Sequence, residues 1–390
     1  MQEQSFHTLG VSVQIERVLA ERGIVKPFPI QELVLPDALA GHDVLAKSPT
    51  GSGKTLAFAI PIVTRVGRDR SQPAALVLVP TRELAGQVSD EIRPLAQVNG
   101  LRVAAVFGGA PIREQAKKAR NAQILVATPG RLQDLVERKL VSLAQVGLLV
   151  LDEADRMLDM GFKPQVERLF RSLPRERQTM LFSATLDGEV GQLAHSYTRD
   201  PSRFETAPLT DHEKGKIEHR FVSVTAAGKV EKLVEELSGE RGLALVFVRT
   251  KRGADRLALK LARRDVNALA LHGDMPQNAR QRTLRRFRDG EVGTLVATDV
   301  AARGLDLEAI THVINFDPPE EDKDYVHRVG RTGRAGKSGN GITFVLPEQQ
   351  ADVSRLAARL GHREQFEREG MRVAAPRRVY TSRRGRGSRW

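Results

Sequence analysis

Residues 147–155 read Gly-Leu-Leu-Val-Leu-Asp-Glu-Ala-Asp, an apolar run that passes directly into a cluster of three acidic residues. The run is short and uninterrupted, which is typical of a strand buried on both faces of a parallel sheet. Carboxylates directly after such a strand can hold a metal ion and a water molecule beside a phosphate. Acidic clusters at strand ends are more often solvated turns, so this stretch alone leaves both interpretations open.

A glycine-rich segment upstream supports the phosphate interpretation. Residues 50–55, Thr-Gly-Ser-Gly-Lys-Thr, follow a second short apolar run and precede a helical pattern. In such a turn the backbone N–H groups point at phosphates, and Lys54 reaches the terminal ones. Ser48 stands where the strict motif has its first glycine, and a flexible turn before a helix is the alternative.

The two segments together predict a nucleotide-hydrolysis site. Thr55 and Asp152 are expected to hold Mg²⁺, partly through water. Glu153 is placed to orient or deprotonate the attacking water. The pair of motifs is far more specific than either one alone.

Length and charge indicate two domains and a polyanionic partner. A chain of 390 residues is too long for one compact core. Its 61 basic and 48 acidic residues give a net charge of +13, which favours nucleic acid as a partner. Acidic lipid is the alternative, and it is weakened because no long apolar stretch or strongly amphipathic terminal helix accompanies the charge.

Several classes of protein are disfavoured by residue types and by the first residues. The chain has no cysteine, which excludes disulfides and thiol chemistry, and its nine histidines lack paired metal-ligand spacing. The first residues lack the basic start and apolar centre of a signal peptide. We therefore expect a soluble, cytoplasmic protein without a membrane partner.

Short apolar runs alternate with helical patterns along the chain, which predicts an α/β fold with parallel sheets flanked by helices. In the first half the predicted strands are residues 44–46, 76–79, 103–107, 124–127, 148–151 and 180–182. In the second half they are residues 221–224, 243–248, 268–271, 294–297, 313–316 and 342–346. The predicted boundaries are a first domain at 1–207, a linker at 208–217, a second domain at 218–363 and a basic tail at 364–390.

The two halves resemble diverged copies of one domain. The strand that begins at Leu76 recurs at Leu245, an offset of 169 residues (76 to 245), and the sequence 125–128 recurs at 295–298, an offset of 170 (125 to 295). Two matches at nearly one offset favour a tandem repeat. The second copy lacks the glycine-rich loop, and Gly228-Lys229 is predicted to start a helix instead.

Polar segments follow several of the predicted strands, at residues 80–84, 128–131, 152–155, 183–185 and 298–299. In open α/β sheets, ligands bind beyond the carboxyl ends of the strands. Each segment alone is also consistent with a helix cap or a solvated charge, but their repetition favours a shared binding face.

On these residues the sequence resembles the DEAD-box RNA helicases of helicase superfamily 2, over residues 6–346. Asp152-Glu153-Ala154-Asp155 is similar to the name-giving motif, and residues 46–55 to the phosphate loop. Residues 23–31, Gly-Ile-Val-Lys-Pro-Phe-Pro-Ile-Gln, resemble the Q motif, with Ile24 and Phe28 departing from the usual residues. The resemblance implies two tandem RecA-like domains.

The resemblance also implies a set of ATP contacts. Gln31 would read the adenine edge, and Phe6 is the separated upstream aromatic residue. The implied nucleotide contacts are Phe6, Gln31, Thr50, Gly51, Ser52, Gly53, Lys54, Thr55, Asp152 and Asp306. Residues 327–334, His-Arg-Val-Gly-Arg-Thr-Gly-Arg, match a later family motif, and Arg331 and Arg334 would be arginine fingers that reach the γ-phosphate. Read alone, both arginines are equally consistent with loop charges or RNA contacts.

RNA would contact both domains through backbone-directed residues. By resemblance these are Arg82, Gly109, Thr128, Arg131, Arg280, Thr298 and Asp299. Phosphate and 2′-OH contacts carry little base information, so recognition should be largely independent of sequence. Ser183, Thr185, Asp155 and His327 would couple the ATP site to RNA. A small polar turn after a strand is the alternative for residues 183–185.

The last twenty residues, 371–390, contain seven arginines and no acidic residue. They show no apolar periodicity, so we expect a disordered cationic arm that raises RNA affinity without specificity. A solubilising terminus is the alternative.

The resemblance implies an RNA-stimulated ATPase that uses ATP and Mg²⁺ to unwind short RNA duplexes or to remodel RNA–protein complexes, with ribosomal or RNA-degradation assemblies as possible partners. Two other classes stay open at this point. A noncatalytic RNA clamp is disfavoured by the intact Lys54, Glu153, Arg331 and Arg334, and a DNA translocase by Gln31 and the complete acidic motif.

Overall fold

The structure is a computed structural model that describes residues 4–48, 52–67, 73–206, 216–239, 241–302, 309–333, 338–368 and 370–374. These residues form two compact units that divide between residues 206 and 216. We refer to them as the first and second domain. Four of the predicted site residues, Thr50, Gly51, Asp306 and Arg334, lie outside the described residues, as does most of the predicted tail.

The described part of the first domain contains seven strands and nine helices. The strands are β1 (Val44–Lys47), β2 (Ala75–Leu78), β3 (Val103–Val106), β4 (Ile124–Ala127), β5 (Leu148–Asp152), β6 (Gln178–Ser183) and β7 (Ser202–Glu205). The helices are α1 (Val13–Glu21), α2 (Pro29–Ala40), α3 (Lys54–Arg65), α4 (Arg82–Val98), α5 (Ile112–Arg120), α6 (Pro129–Glu137), α7 (Ala154–Asp159), α8 (Lys163–Arg171) and α9 (Gly188–Tyr197).

The strands form one parallel sheet in the order β3-β4-β2-β5-β6-β1-β7. Alternate residues of one strand enter opposite cores: Ala75 and Val77 belong to one hydrophobic cluster, and Leu76 and Leu78 to the other. Helices cover both faces, which is why the strands are apolar throughout.

The described part of the second domain contains six strands and seven helices. The strands are β8 (Ile217–Ser223), β9 (Leu243–Phe247), β10 (Ala268–Leu271), β11 (Thr294–Ala297), β12 (Ile310–Asn315) and β13 (Gly339–Val345). The helices are α10 (Lys229–Ser238), α11 (Lys251–Ala262), α12 (Gln277–Arg288), α13 (Asp299–Ala302), α14 (Asp322–Val329), α15 (Gln350–Arg359) and α16 (Arg363–Glu367), with a 3₁₀ turn at Pro347–Gln349.

The second sheet is also parallel, in the order β10-β11-β9-β12-β13-β8. Strand for strand this is the order β3-β4-β2-β5-β6-β1 of the first domain. The repeated residues also pair in the same register, because Leu76 lies opposite Leu125 and Leu245 opposite Leu295. The predicted α/β class and the tandem repeat are thereby confirmed.

Three features differ from the sequence-based expectation. Strand β7 was not predicted, because its residues are mostly polar and only Phe204 packs against a core. Strand β8 begins at Ile217, inside the predicted linker. Helix α16 lies in the predicted disordered tail, where Phe366 is fully buried and its ring centroid is 5.4 Å from that of Phe221. The packed domain therefore extends to about Met371, which is also buried.

None of the helices within the described residues has the length and apolar character that crossing a membrane requires.

Candidate functional site

The start of helix α3 forms the described part of the predicted phosphate loop. Gly53 precedes the helix with a φ of 85°, a left-handed conformation that favours glycine. A Cβ atom there would lie 2.6 Å from Nε2 of Gln31 and 2.9 Å from the ring of Phe28. Lys54 is buried at the first helical position, and its Nζ donates to the Ser48 carbonyl at 3.0 Å. The sequence thus places a buried ammonium at the amino end of a helix, where anions are favoured.

Gln31 joins the Q motif to this loop. Its side chain is fully buried, with Nε2 donating to the Gly53 carbonyl at 2.9 Å and Oε1 accepting from the Phe28 backbone at 2.9 Å. A primary amide has a second N–H and a second lone pair, so both atoms can make one further bond to a base. Phe6, which was also predicted to contact the nucleotide, is instead fully buried within the first hydrophobic core.

Asp152 ends β5 and is buried, with 4% of its surface exposed. Its Oδ1 accepts no hydrogen bond within the described part of the chain. Burial raises the pKa of Asp152 to about 7, and the nearby Lys54 ammonium opposes that rise. Burying a charged carboxylate costs free energy unless a cation pairs with it. A second oxygen donor, the Thr55 hydroxyl, is half-buried at the second position of α3. Hard oxygen donors of this type suit Mg²⁺.

Glu153 precedes helix α7 with a φ of 53°, a conformation that non-glycine residues seldom adopt. Its carboxylate is buried and forms an ion pair with Arg156, which is also buried. The guanidinium fixes the position of the carboxylate that we expect to act on water. Sequence reasoning missed Arg156, although its spacing of three residues from Glu153 in a short helix is a usable signal.

Ser183 connects the two halves of this edge. It ends β6, which lies between β5 and β1, and it is fully buried. Its carbonyl accepts from the Ser48 backbone at 3.0 Å, and its Oγ accepts from the Asp155 backbone at 3.3 Å. The exposed Thr185 donates its backbone N–H to the same Oγ at 3.4 Å. One hydroxyl therefore touches two of the predicted coupling residues.

The predicted RNA contacts of the first domain meet at the ends of β2, β3 and β4. Arg82 begins α4 and lies against Gly109, which has a φ of 86° and where a Cβ would overlap the guanidinium. Arg131 donates to the Ala110 carbonyl at 2.8 Å. Thr128 is the residue before α6 and donates its backbone N–H to the Val106 carbonyl. These strands are neighbours, so Arg82, Gly109, Thr128 and Arg131 share one side of the sheet edge.

The second domain places its predicted RNA residues within a hydrogen-bonded network. Arg328, which sequence reasoning missed, holds both carboxylate oxygens of Asp299 at 2.6 and 2.7 Å. Arg280 is buried and donates to the His272 carbonyl at 2.9 Å. Asp299 and Arg280, two of the predicted RNA contacts, therefore form hydrogen bonds with residues of their own domain. Thr298 is buried directly after β11.

The described part of the 327–334 motif lies on and after α14. His327 is half-buried in the helix, and Arg331 follows the helix with 4% of its surface exposed.

Two family models match the chain. The DEAD/DEAH box helicase model matches residues 28–193, and the helicase conserved C-terminal domain matches residues 228–336. The DEAD-box ATP-dependent RNA helicase CshA of Geobacillus kaustophilus is 41% identical, over 90% of this chain and 76% of the relative. This chain belongs to the DEAD-box helicase family.

Family membership confirms the resemblance inferred from the motifs, and other similarities agree with it. The ATP-dependent RNA helicase CshA of Listeria monocytogenes is 42% identical over 88% of this chain, which spans 66% of that relative's length. The solved structure of Dbp5 from S. cerevisiae bound to RNA and ADP BeF3 has a TM-score of 0.80 and 31% identity. The match covers 93% of this chain and 94% of the Dbp5 chain. The two-domain RecA-like fold of the family is therefore confirmed as well.

Proposed function

We propose that this chain is an ATP-dependent RNA helicase whose ATP hydrolysis is stimulated by RNA. The observation that carries the proposal is the division of the first sheet edge. The buried Lys54 lies at the start of the helix after β1, and Asp152 ends β5 with an Oδ1 that accepts no hydrogen bond from the described residues. The predicted RNA residues follow the neighbouring strands β2, β4 and β3. Ser183 and Asp155 stand between the two groups.

In the ATP site, Lys54 and the helix start bind phosphates, and Gln31 selects adenine. Glu153, oriented by Arg156, accepts the proton of the attacking water. Thr55 and Asp152 would hold Mg²⁺, which would neutralise phosphate charge. The Asp152 Oδ1, which accepts no hydrogen bond from any residue that the structure describes, supports this assignment.

RNA binding in this proposal rests on backbone contacts and on charge. Arg82, Gly109, Thr128 and Arg131 bring two guanidiniums and an exposed glycine to one edge. Such groups bind phosphate and sugar without reading bases. The similar protein Dbp5, whose structure was solved bound to RNA, and the net charge of +13 support an RNA partner. A cytoplasmic location and service to ribosomal or degradation assemblies belong to the same proposal.

The second domain supplies Arg331 and Arg334 to the phosphates in this proposal, together with Asp306 as a nucleotide contact. A permanently charged planar fork suits the charge that spreads over a transferring phosphoryl group. His327 would pass the state of the ATP site to RNA. We propose domain bounds near 1–207 and 217–374, the second including all of β8, α16 and Met371.

Strand separation tests the proposal. The full chain should separate a short RNA duplex in the presence of ATP, and Lys54→Ala should abolish separation because the phosphates lose their principal cation. The matched control is Lys118→Ala, an exposed lysine on α5, which should behave as the parent. A parent chain that binds RNA and ATP but leaves every short duplex intact would instead indicate a noncatalytic clamp.

A further inference from the structure

The second domain has residues at the positions that are equivalent to the predicted phosphate site of the first domain. Leu76 pairs with Leu149 in β5, and its repeat equivalent Leu245 pairs with Val313 in β12. Counting from this register, Phe316 stands where the first domain has Asp152. Asp317 stands where it has Glu153.

The lysine of the lost site is also present. Lys229 is the first residue of α10, the helix after β8, as Lys54 is the first residue of α3 after β1. The two preceding loops differ, because Gly228 has a φ of −87° and Gly53 has a φ of 85°. The second domain therefore kept the lysine and lost the turn that cradles phosphates.

Residues of the second domain itself satisfy the Lys229 ammonium. The Nζ of Lys229 donates to Oδ1 of Asp317 at 2.8 Å and lies 4.1 Å from the centroid of the Phe316 ring. Lys229 is buried, with 7% of its surface exposed. A carboxylate and an aromatic face together satisfy the ammonium that a nucleotide would otherwise satisfy.

Asp317 in turn holds the segment that leads to α14. Its Oδ2 accepts from the Arg249 backbone at 2.9 Å, and its carbonyl accepts from Arg328 at 2.7 Å. Arg328 is on α14, three residues before Arg331, and it grips Asp299 through two hydrogen bonds. A continuous set of hydrogen bonds therefore runs from Lys229 through the side chain and the backbone carbonyl of Asp317 to Arg328, at the base of the motif that carries Arg331.

We propose that the pair Lys229–Asp317 positions Arg331 for ATP hydrolysis. The inference rests on the proposed function, because it requires that Arg331 acts on the phosphates. Lys229 is a positioning residue: Asp317 and Phe316 hold its ammonium, and it acts through Asp317 and Arg328. Small displacements of groups that stabilise a transition state reduce turnover by up to about 100-fold.

The test compares Lys229→Met and Asp317→Asn in the full chain. Methionine keeps an unbranched apolar stem beside Phe316 and removes the charge, and asparagine keeps an acceptor for the Arg249 backbone. Each should lower the kcat of RNA-stimulated ATP hydrolysis about tenfold or more while leaving the KM for ATP within about twofold. Lys229→Arg, which can still pair with Asp317, should restore most of the turnover.

Two controls separate this inference from general destabilisation and from the proposed function. Lys232→Met removes an ion pair with the exposed Glu235, one turn further along α10, and should leave kcat unchanged. Lys229→Met combined with Arg331→Ala should be no slower than Arg331→Ala alone, because one variant acts through the other.

The outcomes are distinct. If Arg331→Ala lowers kcat and Lys229→Met and Asp317→Asn leave it at the parental value, the positioning role is wrong and the proposed function stands. If Arg331→Ala itself has no effect, the arginine-finger assignment fails. Additive losses in the double variant, or losses in kcat that follow the thermal unfolding midpoint, would also overturn the positioning role.

Discussion

Glu153 combines a strained backbone with the carboxylate that we propose acts on water. A left-handed backbone at a non-glycine residue costs about 1–3 kcal/mol and persists only where the surroundings enforce it. Here the carboxylate is buried and the buried Arg156 fixes its position. The strained backbone lowers stability, and it holds the Glu153 carboxylate at the end of β5.

Replacing Glu153 with glutamine should separate ATP binding from ATP hydrolysis. The amide keeps the shape of the side chain but cannot accept a proton from water, and general-base help is typically worth about 10²–10⁴-fold. We expect single-turnover hydrolysis to fall by that factor while ATP-dependent RNA retention persists. Glu137→Gln, an exposed residue on α6, is the control. Hydrolysis at the parental rate in Glu153→Gln would remove this residue from the role of base.

Residue identities explain what the sequence could and could not reveal about the site. Lys54 lies in one short motif, and Asp152 and Glu153 lie in another. Each motif directly follows a predicted parallel strand, so the sequence predicts that they meet at the carboxyl edge of the sheet. Arg156 could have been assigned from its spacing of three residues from Glu153. Arg328 could not, because its partner Asp299 lies on a separate helix and meets it only in the packed domain. The sequence also could not show that Asp299 and Arg280 are engaged within their own domain.

At the level of elements, the start of α3 depends on a glycine that nothing else can replace. Gly53→Ala would place a Cβ 2.6 Å from Gln31 in a left-handed backbone. We expect a loss of about 1–3 kcal/mol of stability in the first domain and weaker ATP binding. The control is Gly86→Ala within α4, where a Cβ meets no atom within 4 Å. That substitution should be stabilising by about 0.5–1 kcal/mol. Thermal unfolding and nucleotide titration measure both, and unchanged ATP affinity in Gly53→Ala would contradict the account.

The junction of β8, α14 and α16 should make the second domain sensitive to acid. His219 hydrogen-bonds Tyr325 at 2.8 Å, and its ring stacks on His362 at 3.8 Å between centroids. Burial lowers the pKa of His219 to about 4 and also lowers the pKa of His362. The unfolded chain takes up protons near pH 6.5, whereas the folded domain resists protonation.

The stability contributed by these neutral rings is therefore complete above about pH 6.5 and is lost as the pH falls toward 4. Denaturant midpoints measured across that range should fall for the parent and fall less for His362→Phe. His195→Ala, on an exposed site of the first domain, should follow the parent. A parental midpoint that does not change between pH 7 and 4.5 would be incompatible with buried neutral histidines.

Strand existence was largely predictable, and strand boundaries were less so. Buried parallel strands are continuous apolar runs, so each of the twelve predicted runs coincides with a strand of the structure within a few residues. Strand β7 was not predicted because Ser202–Glu205 has no such apolar run, and its pairing with β1 comes from tertiary structure. Helix α16 was not predicted because charged residues surround the single buried Phe366.

At the scale of the whole molecule, charge outside the described residues should govern RNA affinity. Residues 375–390 contain six arginines and no acidic residue. Their deletion should weaken RNA binding and lower its salt dependence, by about 0.7 in slope for each lost phosphate contact. The ATP turnover rate at saturating RNA should stay near the parental value, because the catalytic residues lie elsewhere.

The control for this deletion replaces the six arginines with glutamine at constant length, and it should behave as the deletion does. The deletion begins at residue 375 because Met371 is buried in the second domain. Identical salt slopes for parent and deletion would show that the arm does not touch RNA.

ATP turnover of the full chain with and without structured RNA, compared with single-stranded DNA at equal charge, tests the central claim most directly. The account predicts that RNA raises the turnover severalfold or more, that DNA does not, and that Arg331→Ala abolishes the stimulation while the chain still binds ATP. Turnover that is independent of RNA, or that DNA raises equally, would contradict a helicase in which RNA binding at one half of the sheet edge activates hydrolysis at the other.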